Sequence, residues 1–293
     1  MGGSLQRAAI ARAFSRASGS YDAAARLQAV VRTELLSRLD GVSVAPAVVV
    51  DLGAGTGIAT QQLMARYRMA QVLAVDIAPG MLAAVGRRSR FWRPLRRVAA
   101  DAMSLPLRAQ SVDLVFSSLM FQWCEEPDVA FAEVQRVLKP GGLFLFSSFG
   151  PDTLRELREA WAQVDRAVHV NAFIDMHDLG SALQRAGFAE PVLDVDRHVL
   201  RYADARALMR ELKAIGAHNV NADRARTLTG PGRLKRMEAA YEARREPQGL
   251  PATYEVVYAA AWGAGTAPSR AAIAAETAVS LAAFTAAVRG PRA

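Results

Sequence analysis

The sequence predicts an α/β fold with a mostly parallel sheet of seven strands, and two observations support this. Short apolar runs alternate with amphipathic segments long enough to form crossover helices, as in QVLAVDI followed by PGMLAAVGRRS. The first run stops at glycines, and the second and third runs each end in an acid. Such alternation is typical of βαβ units, in which a helix returns the chain so that consecutive strands lie parallel.

The elements are predicted in the following order along the chain. Residues 5–39 are expected to be helical, with a break near SGSYD. Strands and helices then follow as APAVVVDLG, GIATQQLMARY, QVLAVDI, PGMLAAVGRRS, RRVAAD, SVDLVFSSL, PDVAFAEVQRVLKPGG and LFLFSSF. Pro79 suits the first turn of its helix, and a Lys-Pro-Gly-Gly sequence is expected to end the helix before the fifth strand.

The second half of the chain has a less regular pattern. It is predicted to contain the helices PDTLRELREAWAQVD and DMHDLGSALQRAGF, the latter ended by Gly187, and a sixth strand, EPVLDVDRHVL. Residues 203–246 are predicted to be helical and basic, and ATYEVVYAAAW alternates as a seventh strand. We therefore expect an N-terminal helical lid (1–40), an α/β core (41–198), a helical basic cap inserted between strands six and seven (199–250), the last core strand (251–263) and an alanine-rich tail that is loosely helical or disordered (264–293).

Composition narrows the range of partners and sites. A net charge of +8 favours anionic partners, such as nucleic acid, a membrane surface or an acidic protein. Cys124 is the single cysteine, so no internal disulfide can form, which fits a cytoplasmic location. The chain has no uninterrupted apolar run long enough to predict a transmembrane helix. The four histidines show no metal-ligand spacing with Cys124, so no metal site is expected.

The stretch VVVDLGAGTG predicts a nucleotide-binding loop. Its glycines, Gly53, Gly55 and Gly57, follow a strand that carries Asp51. A dinucleotide-binding loop needs Gly-x-Gly-x-x-Gly, and the position that would complete this pattern is Ile58. The spacing therefore disfavours a ligand that is bound through a diphosphate.

The acids that end the second and third strands favour an adenosine ligand. Asp76 ends the second strand, where a carboxylate can accept hydrogen bonds from both hydroxyls of a ribose. Asp101 ends the third strand and can accept from an adenine amino group, while the backbone N–H of Ala102 donates to the ring. Because the carboxyl ends of parallel strands meet at one edge of the sheet, these groups are expected to converge on one crevice.

Residues 45–150 resemble the class I S-adenosylmethionine-dependent methyltransferases. The resemblance rests on VVVDLGAGTG, VLAVDI, AADAMSLPL, SVDLVFSSLMFQW and RVLKPGGLFLFSSF. It implies a Rossmann-like sheet with one antiparallel strand, and S-adenosylmethionine as the cofactor without a metal. An ordinary βα turn with no cofactor is the alternative. The cofactor-binding residues that the resemblance implies are Tyr21, Asp51, Gly53, Ala54, Gly55, Gly57, Asp76, Ile77, Met81, Asp101, Ala102, Ser118, Leu119 and Gln122.

The regions outside that core resemble the malonyl-acyl-carrier-protein O-methyltransferases of biotin synthesis. The segments lie within residues 12–263 and include FSSFGPDTLRELREAW, HVNAFIDMHDLGSALQRAGF, YADARALMRELKAIGAHN and LPATYEVVYAAAWG. The resemblance implies methyl transfer to the free carboxylate of a malonyl thioester, on an acyl carrier protein or on coenzyme A. A carboxylate that is already ionised at neutral pH needs no general base, so neither a catalytic His–Asp dyad nor a nucleophilic Cys124 is expected.

Residues that could orient the acceptor carboxylate lie in RELKAIGAHN. Arg210 and Lys213 share one face if this stretch is helical, and His218 and Asn219 follow them. A cation near the pocket could guide the malonyl group. The alternative is a basic face that meets only solvent or the carrier protein.

The N-terminal segment is expected to fold over the cofactor as a lid. Tyr21 would cover the methionine part of the cofactor, with Arg16 near its carboxylate. Alternatively, Tyr21 only pins the first helix to the core. Trp123, Tyr254 and Tyr258 are predicted to be packing residues rather than site residues.

Two basic regions could contact an acidic carrier protein. One is the arginine-rich stretch 87–97, and the other is the insertion, which has eleven Lys or Arg against six Asp or Glu. We favour the insertion, with Arg233, Lys235 and Arg236, as the docking face. Phe91 and Trp92 among arginines leave RNA as an alternative, but neither nucleic acid nor a membrane is the expected partner.

Two other functions remain open at this point. Methyltransferase-like assembly factors of respiratory complex I, which modify a protein partner, carry a stretch similar to FGPDTLRELR. A generic small-molecule methyltransferase is the second alternative. The segments HVNAFIDMHDLG and KAIGAHN fit the malonyl-acyl-carrier-protein family better than either of them.

Overall fold

A computed structural model describes residues 3–88, 94–217 and 230–265. Within them seven strands form one sheet in the order β3-β2-β1-β4-β5-β7-β6. The strands are β1 (Val48–Leu52), β2 (Gln71–Asp76), β3 (Arg96–Ala99), β4 (Val112–Ser118), β5 (Leu138–Phe149), β6 (Ala189–Tyr202) and β7 (Leu250–Trp262). β1 to β5 pair in parallel, whereas β7 lies antiparallel to both β5 and β6. The predicted α/β sheet with one antiparallel strand is confirmed.

Helices cover both faces of the sheet. They are α1 (Gly3–Ala17), α2 (Tyr21–Ala24), α3 (Arg26–Ser37), α4 (Ile58–Arg66), α5 (Pro79–Arg87), α6 (Pro127–Val137), α7 (Arg155–Ala162), α8 (Met176–Arg185), α9 (Ala205–Ala214) and α10 (Pro231–Glu242). The core on one face takes buried side chains from α3, α4, α7, α9 and α10, and the core on the other takes them from α6 and α8. Among the described residues, no helix has the length and apolar character needed to cross a bilayer.

A cluster of phenylalanines forms the centre of the core on the α6 and α8 face. Their ring centroids lie 4.6 to 5.9 Å apart, and the members are Phe121, Phe131, Phe144, Phe146 and Phe188. Phe121 belongs to the short 3-10 helix Phe121–Trp123, which follows β4. The cluster therefore fixes the segment after β4 to the sheet at its carboxyl edge.

The predicted seventh strand is present as β7. Although its sequence alternates, β7 is buried or half-buried along its whole length. The reason is its position between β5 and β6, with a helical layer on each side. β6, at the edge of the sheet, has the alternating exposure instead.

Two boundaries of secondary-structure elements also differ from the prediction. α6 ends at Val137 and β5 begins at Leu138, so the Lys-Pro-Gly-Gly sequence lies inside the strand rather than in a turn that ends the helix. Pro140 accounts for this, because the residue before a proline is pushed towards extended backbone. β6 extends through Tyr202, beyond the expected core boundary at residue 198, and the described part of the insertion consists of two separate helices, α9 and α10.

The N-terminal helices pack along the carboxyl edge of the first strands. The backbone N–H of Gly80, at the start of α5, donates to Ser15 Oγ on α1 at 3.1 Å. Thr56, in the loop after β1, donates to Asp22 Oδ1 at 2.6 Å, and Arg88 pairs with the other oxygen of Asp22. These bonds attach α1 and α2 to the loops that follow β1 and β2.

Candidate functional site

The loop after β1 is shaped by glycines in left-handed backbone conformation. Gly53, Gly55 and Gly57 have φ of +74°, +54° and +86°, a region that side chains with a Cβ rarely adopt. A Cβ on Gly53 would collide with the side chain of Met120, which follows β4. At Gly55, by contrast, an added Cβ would meet no other atom within 4 Å, so the loop leaves open space there at the carboxyl edge of the sheet.

Asp76, at the end of β2, ties this loop to the next one. Its Oδ2 accepts from the backbone N–H of Gly55 at 2.9 Å, and its Oδ1 accepts from the N–H of Ala78 at 2.7 Å. Burial raises the pKa of Asp76, while these two N–H groups act in the opposite direction. The carboxylate is thus held rigidly at the floor of the crevice.

Asp101 lies beside it, just after β3. Its Oδ1 accepts from the N–H of Met103 at 2.9 Å, and its Oδ2 accepts from Arg7 Nη1 at 2.8 Å. Arg7 comes from α1, so this helix reaches across the crevice to the acid. This pair was not predicted from the sequence, because 94 residues separate its members.

A pocket of about 780 Å³, counted out to its open mouth, lies over these groups. We refer to it as the cofactor pocket. The predicted residues that line it are Tyr21, Gly53, Gly55, Asp76, Ile77, Met81, Asp101, Ala102, Ser118 and Leu119. Arg7, Ile10, Phe14 and Met120 also line it and were not predicted. The spacing of Arg7, Ile10 and Phe14 on α1 was the available signal, since it places them on one helix face.

Four of the predicted cofactor-binding residues do not line this pocket. They are Asp51, Ala54, Gly57 and Gln122. Asp51 is buried beneath the loop, where its Oδ2 accepts from the Thr60 hydroxyl at 2.5 Å and burial raises its pKa to about 7. Gly57 begins α4, and a Cβ there would touch Val85 at 3.0 Å. Asp51 and Gly57 therefore support the conformation of the loop from the side that faces away from the pocket.

A second pocket, of about 770 Å³ counted in the same way, adjoins the first. We refer to it as the acceptor pocket. Phe14, Tyr21, Leu119 and Trp123 line both pockets, so the two meet at this group of side chains. Phe14 packs edge-on against Trp123, with 5.2 Å between ring centroids. Trp123 was expected to be a packing residue, and it is also a wall of both pockets.

The acceptor pocket is mainly apolar with a few polar groups. Gln28, Gln122, Thr153, His169 and Asn171 supply the polar side chains, and Tyr254 adds a hydroxyl. Tyr254 was expected to be a core residue; it is buried and also lines the pocket. Tyr258 is fully buried, with the Arg38 guanidinium 4.1 Å from its ring centroid.

The predicted carboxylate-orienting cations lie elsewhere. Arg210 and Lys213 are exposed on α9 and line neither pocket, because α9 turns Leu212 towards the acceptor pocket instead. Arg16 is exposed and also lines neither pocket. His218 and Asn219 lie outside the described residues.

Cys124 borders the cofactor pocket, and burial raises the pKa of its thiol to about 12. A thiol with so high a pKa is protonated at neutral pH and is a poor nucleophile. In the described ranges, no three His, Cys, Asp or Glu side chains come together as metal ligands would.

Comparisons with known proteins agree with this arrangement. A family described as a methyltransferase domain matches residues 50–146, which include the glycine loop and both acids. The malonyl-[acyl-carrier protein] O-methyltransferase of Methylovorus sp. is 53% identical over 264 residues, which cover 88% of this chain and 89% of the relative. This chain belongs to the malonyl-[acyl-carrier protein] O-methyltransferase family.

Two further similarities are informative. The biotin biosynthesis bifunctional protein BioHC of Cellvibrio japonicus is 43% identical over 85% of this chain, which spans about half (49%) of that longer protein. The crystal structure of the YcgJ protein of Bacillus subtilis superposes with a TM-score of 0.56, covering 79% of this chain and 97% of that one. At 18% identity this last similarity bears on the fold alone.

Membership of this methyltransferase family implies S-adenosylmethionine as the cofactor, and the residues of the cofactor pocket fit it. The Asp76 carboxylate can accept from ribose hydroxyls, and Asp101 can accept from the adenine amino group. The open space at Gly55, where an added Cβ would meet no other atom within 4 Å, gives room for the amino-acid part.

The predicted docking regions are only partly described. Arg233, Lys235 and Arg236 are exposed at the start of α10. Residues 89–93 of the arginine-rich stretch, which include Phe91 and Trp92, lie outside the described residues, as do 266–293 of the tail.

Proposed function

We propose that this protein methylates the free carboxylate of malonyl-acyl carrier protein to its methyl ester, an early step of biotin biosynthesis. The observation that carries the proposal is the pair of pockets that meet at Phe14, Tyr21, Leu119 and Trp123. The family relationship supports the choice of acceptor, since the relatives that match most of the chain are named for this substrate.

The cofactor pocket supplies the first half of the site. Asp76 would hold the ribose and Asp101 the adenine, while the lid residues Arg7 and Tyr21 close the pocket from above. When bound, S-adenosylmethionine supplies an electrophilic methyl group on a sulfonium. The acceptor carboxylate gains that methyl on one oxygen, and S-adenosylhomocysteine is the second product.

The chain's own contribution is placement and exclusion of water. A malonyl carboxylate is ionised at neutral pH, so no side chain has to remove a proton from it. The aromatic rings around the junction replace the water that would otherwise solvate this anion, which makes its oxygen more reactive. Alignment of the two reactants at the junction supplies the remaining acceleration.

We also propose that the acidic carrier protein docks on the basic face of α10. Arg233, Lys235 and Arg236 are exposed there. α10 packs on α7, which carries Leu157 of the acceptor pocket. The long phosphopantetheine arm of the carrier would then pass from this face into the acceptor pocket. Malonyl-coenzyme A offers the same arm without the protein and is the alternative substrate.

The test combines purified protein, methyl-labelled S-adenosylmethionine and malonyl-acyl carrier protein. We expect a label on the carrier that is released by mild base, as a methyl ester is. Acetyl-acyl carrier protein, which has no free carboxylate, is the control and should stay unlabelled. If malonyl thioesters of carrier protein and of coenzyme A both stay unlabelled, the proposed reaction is wrong.

A further inference from the structure

His169 occupies a defined position in the wall of the acceptor pocket. It lies on the loop between α7 and α8, and its ring stacks on that of Trp161, with 3.8 Å between centroids and 10° between planes. Its Nε2 is 2.8 Å from Asp165 Oδ1. One face of the ring is therefore in contact with Trp161, and one ring nitrogen is in contact with Asp165. The side chain is only 17% exposed.

Asp165 is itself held in place by several groups. Its Oδ1 also accepts from the backbone N–H of Ala167 at 3.0 Å, and its Oδ2 lies 3.8 Å from Arg233 Nη1 on α10. These partners, the His169 hydrogen bond first among them, lower the pKa of Asp165. The carboxylate is therefore ionised at neutral pH and can accept a hydrogen bond from the Nε2–H of His169.

The His169–Asp165 pair matters because few residues of the acceptor pocket can carry a charge. Of the described residues that line the acceptor pocket, none is a lysine or an arginine, and His169 is the one that can carry a positive charge. An anionic acceptor in an apolar pocket needs a hydrogen-bond donor that compensates for lost water. The cations expected from the sequence, Arg210 and Lys213, point into solvent.

We propose that protonated His169 donates a hydrogen bond to one carboxylate oxygen of the acceptor, and that Asp165 is the positioning residue that orients and charges it. This rests on the proposed function. Nε2 donates to Asp165, so Nδ1–H is the donor that remains for the acceptor. Holding one oxygen leaves the other to receive the methyl group. The ester product has no charge, so its bond to His169 is weaker and product release is favoured.

Charged and titratable groups reach His169 from several parts of the fold. Asp165 contacts it directly, and Arg233 faces it through Asp165 from α10. Arg158 and Arg166 line the groove on its outer side, while Tyr21 and Tyr254 line the pocket on its inner side. Burial raises the pKa of both tyrosines, so they remain neutral across the working range.

The experiment measures kcat and KM against pH with a malonyl thioester of N-acetylcysteamine, which reports on the pocket without carrier docking. For the unchanged protein we expect KM to rise as pH rises, because only a protonated imidazole has an Nδ1–H to donate while Nε2–H is bound to Asp165. His169→Gln should raise KM about 10- to 100-fold at low pH, as expected for a lost charged hydrogen bond, and should flatten the pH profile. Asp165→Asn, which removes the ionised partner of Nε2, should raise KM while kcat changes little.

A surface pair provides the matched control. His177 Nδ1 lies 2.8 Å from Asp175 Oδ1, but this histidine is 84% exposed and lines neither pocket. His177→Gln should change neither KM nor its pH profile. Calorimetric affinity for S-adenosylmethionine should be unchanged in all variants, which shows that they fold.

The outcomes separate this proposal from the proposed function. If the unchanged protein methylates no malonyl thioester, the proposed function fails. If it does so and His169→Gln keeps the KM and pH profile of the unchanged protein, the role of His169 is wrong while the function stands.

Discussion

Asp76 shows how one side chain both builds the site and is expected to bind its ligand. Its two oxygens accept the N–H groups of Gly55 and Ala78, which fix the loops after β1 and β2. Each carboxylate oxygen retains a further lone pair for a ribose hydroxyl. Shape and recognition thus depend on the same carboxylate.

We therefore expect Asp76→Ala to abolish cofactor binding. Hydrogen bonds to a charged group contribute about 1.5–3 kcal/mol each, so the loss of two weakens binding by about 100-fold or more. Isothermal titration calorimetry with S-adenosylmethionine measures this directly. Asp178→Ala, at an exposed position on α8, is the control and should bind normally. An unchanged dissociation constant for Asp76→Ala would refute the assignment.

The buried Asp51 affects how the stability of the protein depends on pH. Burial raises its pKa in the folded protein to about 7, from an ordinary value of 3.8. The folded state thus binds this proton more tightly than the unfolded state does. The stabilisation is full below the unfolded pKa and is lost as pH rises through the folded pKa, with a size of up to about 4 kcal/mol.

Asp51→Asn is expected to remove this part of the pH dependence, because the amide keeps an acceptor for Thr60 and does not titrate. The free energy of unfolding, measured by urea denaturation at pH 5 and pH 8, should fall with pH more steeply in the unchanged protein. Asp178→Asn should leave the slope unaltered. Equal slopes in the protein and in Asp51→Asn would contradict the account.

At the scale of elements, the sequence predicted the strand–helix alternation and most of the cofactor edge. It succeeded because glycine spacing and strand-ending acids act locally, as for Gly53 and Asp76. Two contacts were not predicted, namely the hydrogen bond of Arg7 to Asp101 and that of His169 to Asp165. The first pair depends on how α1 lies across the sheet, and the second depends on the course of an irregular loop whose sequence has no period.

The contact between α1 and α5 gives a prediction for the lid. Gly80 lies so close to α1 that an added Cβ would come within 2.6 Å of Ser15 O and 2.7 Å of Ser15 Cα. Gly80→Ala should therefore push α1 away from the cofactor pocket. If lid displacement absorbs an overpacking cost of about 1–3 kcal/mol, affinity for S-adenosylmethionine falls by on the order of 10-fold.

A matched control exists in α10, which also begins with Pro-Gly. An added Cβ on Gly232 would have only the end of the Arg236 side chain near it, at 4.0 Å. Gly232→Ala should keep the affinity and slightly stabilise its helix. If both alanine variants bind the cofactor equally well, α1 does not act as a lid.

At the scale of the whole molecule, the arrangement connects a basic surface to a buried reaction site. The two pockets lie at the carboxyl edge of the sheet, and α10 lies beside the loop that carries Asp165. The α4–β2 connection, with exposed Arg68, lies at the amino edge of the parallel strands. Charge near α10 should thus affect carrier docking, whereas charge near Arg68 should not.

Charge reversal on α10 tests this arrangement. Lys235→Glu and Arg236→Glu should each raise KM for malonyl-acyl carrier protein, and together they should raise it about 10-fold or more at low ionic strength. Screening shortens the reach of charges from about 10 Å at 0.1 M salt to about 3 Å at 1 M, so the difference from the unchanged protein should shrink as salt is added. Turnover of the malonyl N-acetylcysteamine thioester, which has no carrier protein, should be the same in all variants.

Arg68→Glu makes the same charge change as Arg236→Glu at the opposite edge of the sheet, and it should leave KM for both substrates unchanged. If Arg68→Glu and Arg236→Glu raise the carrier KM equally, the net charge of the protein attracts the carrier, and α10 is not its docking face.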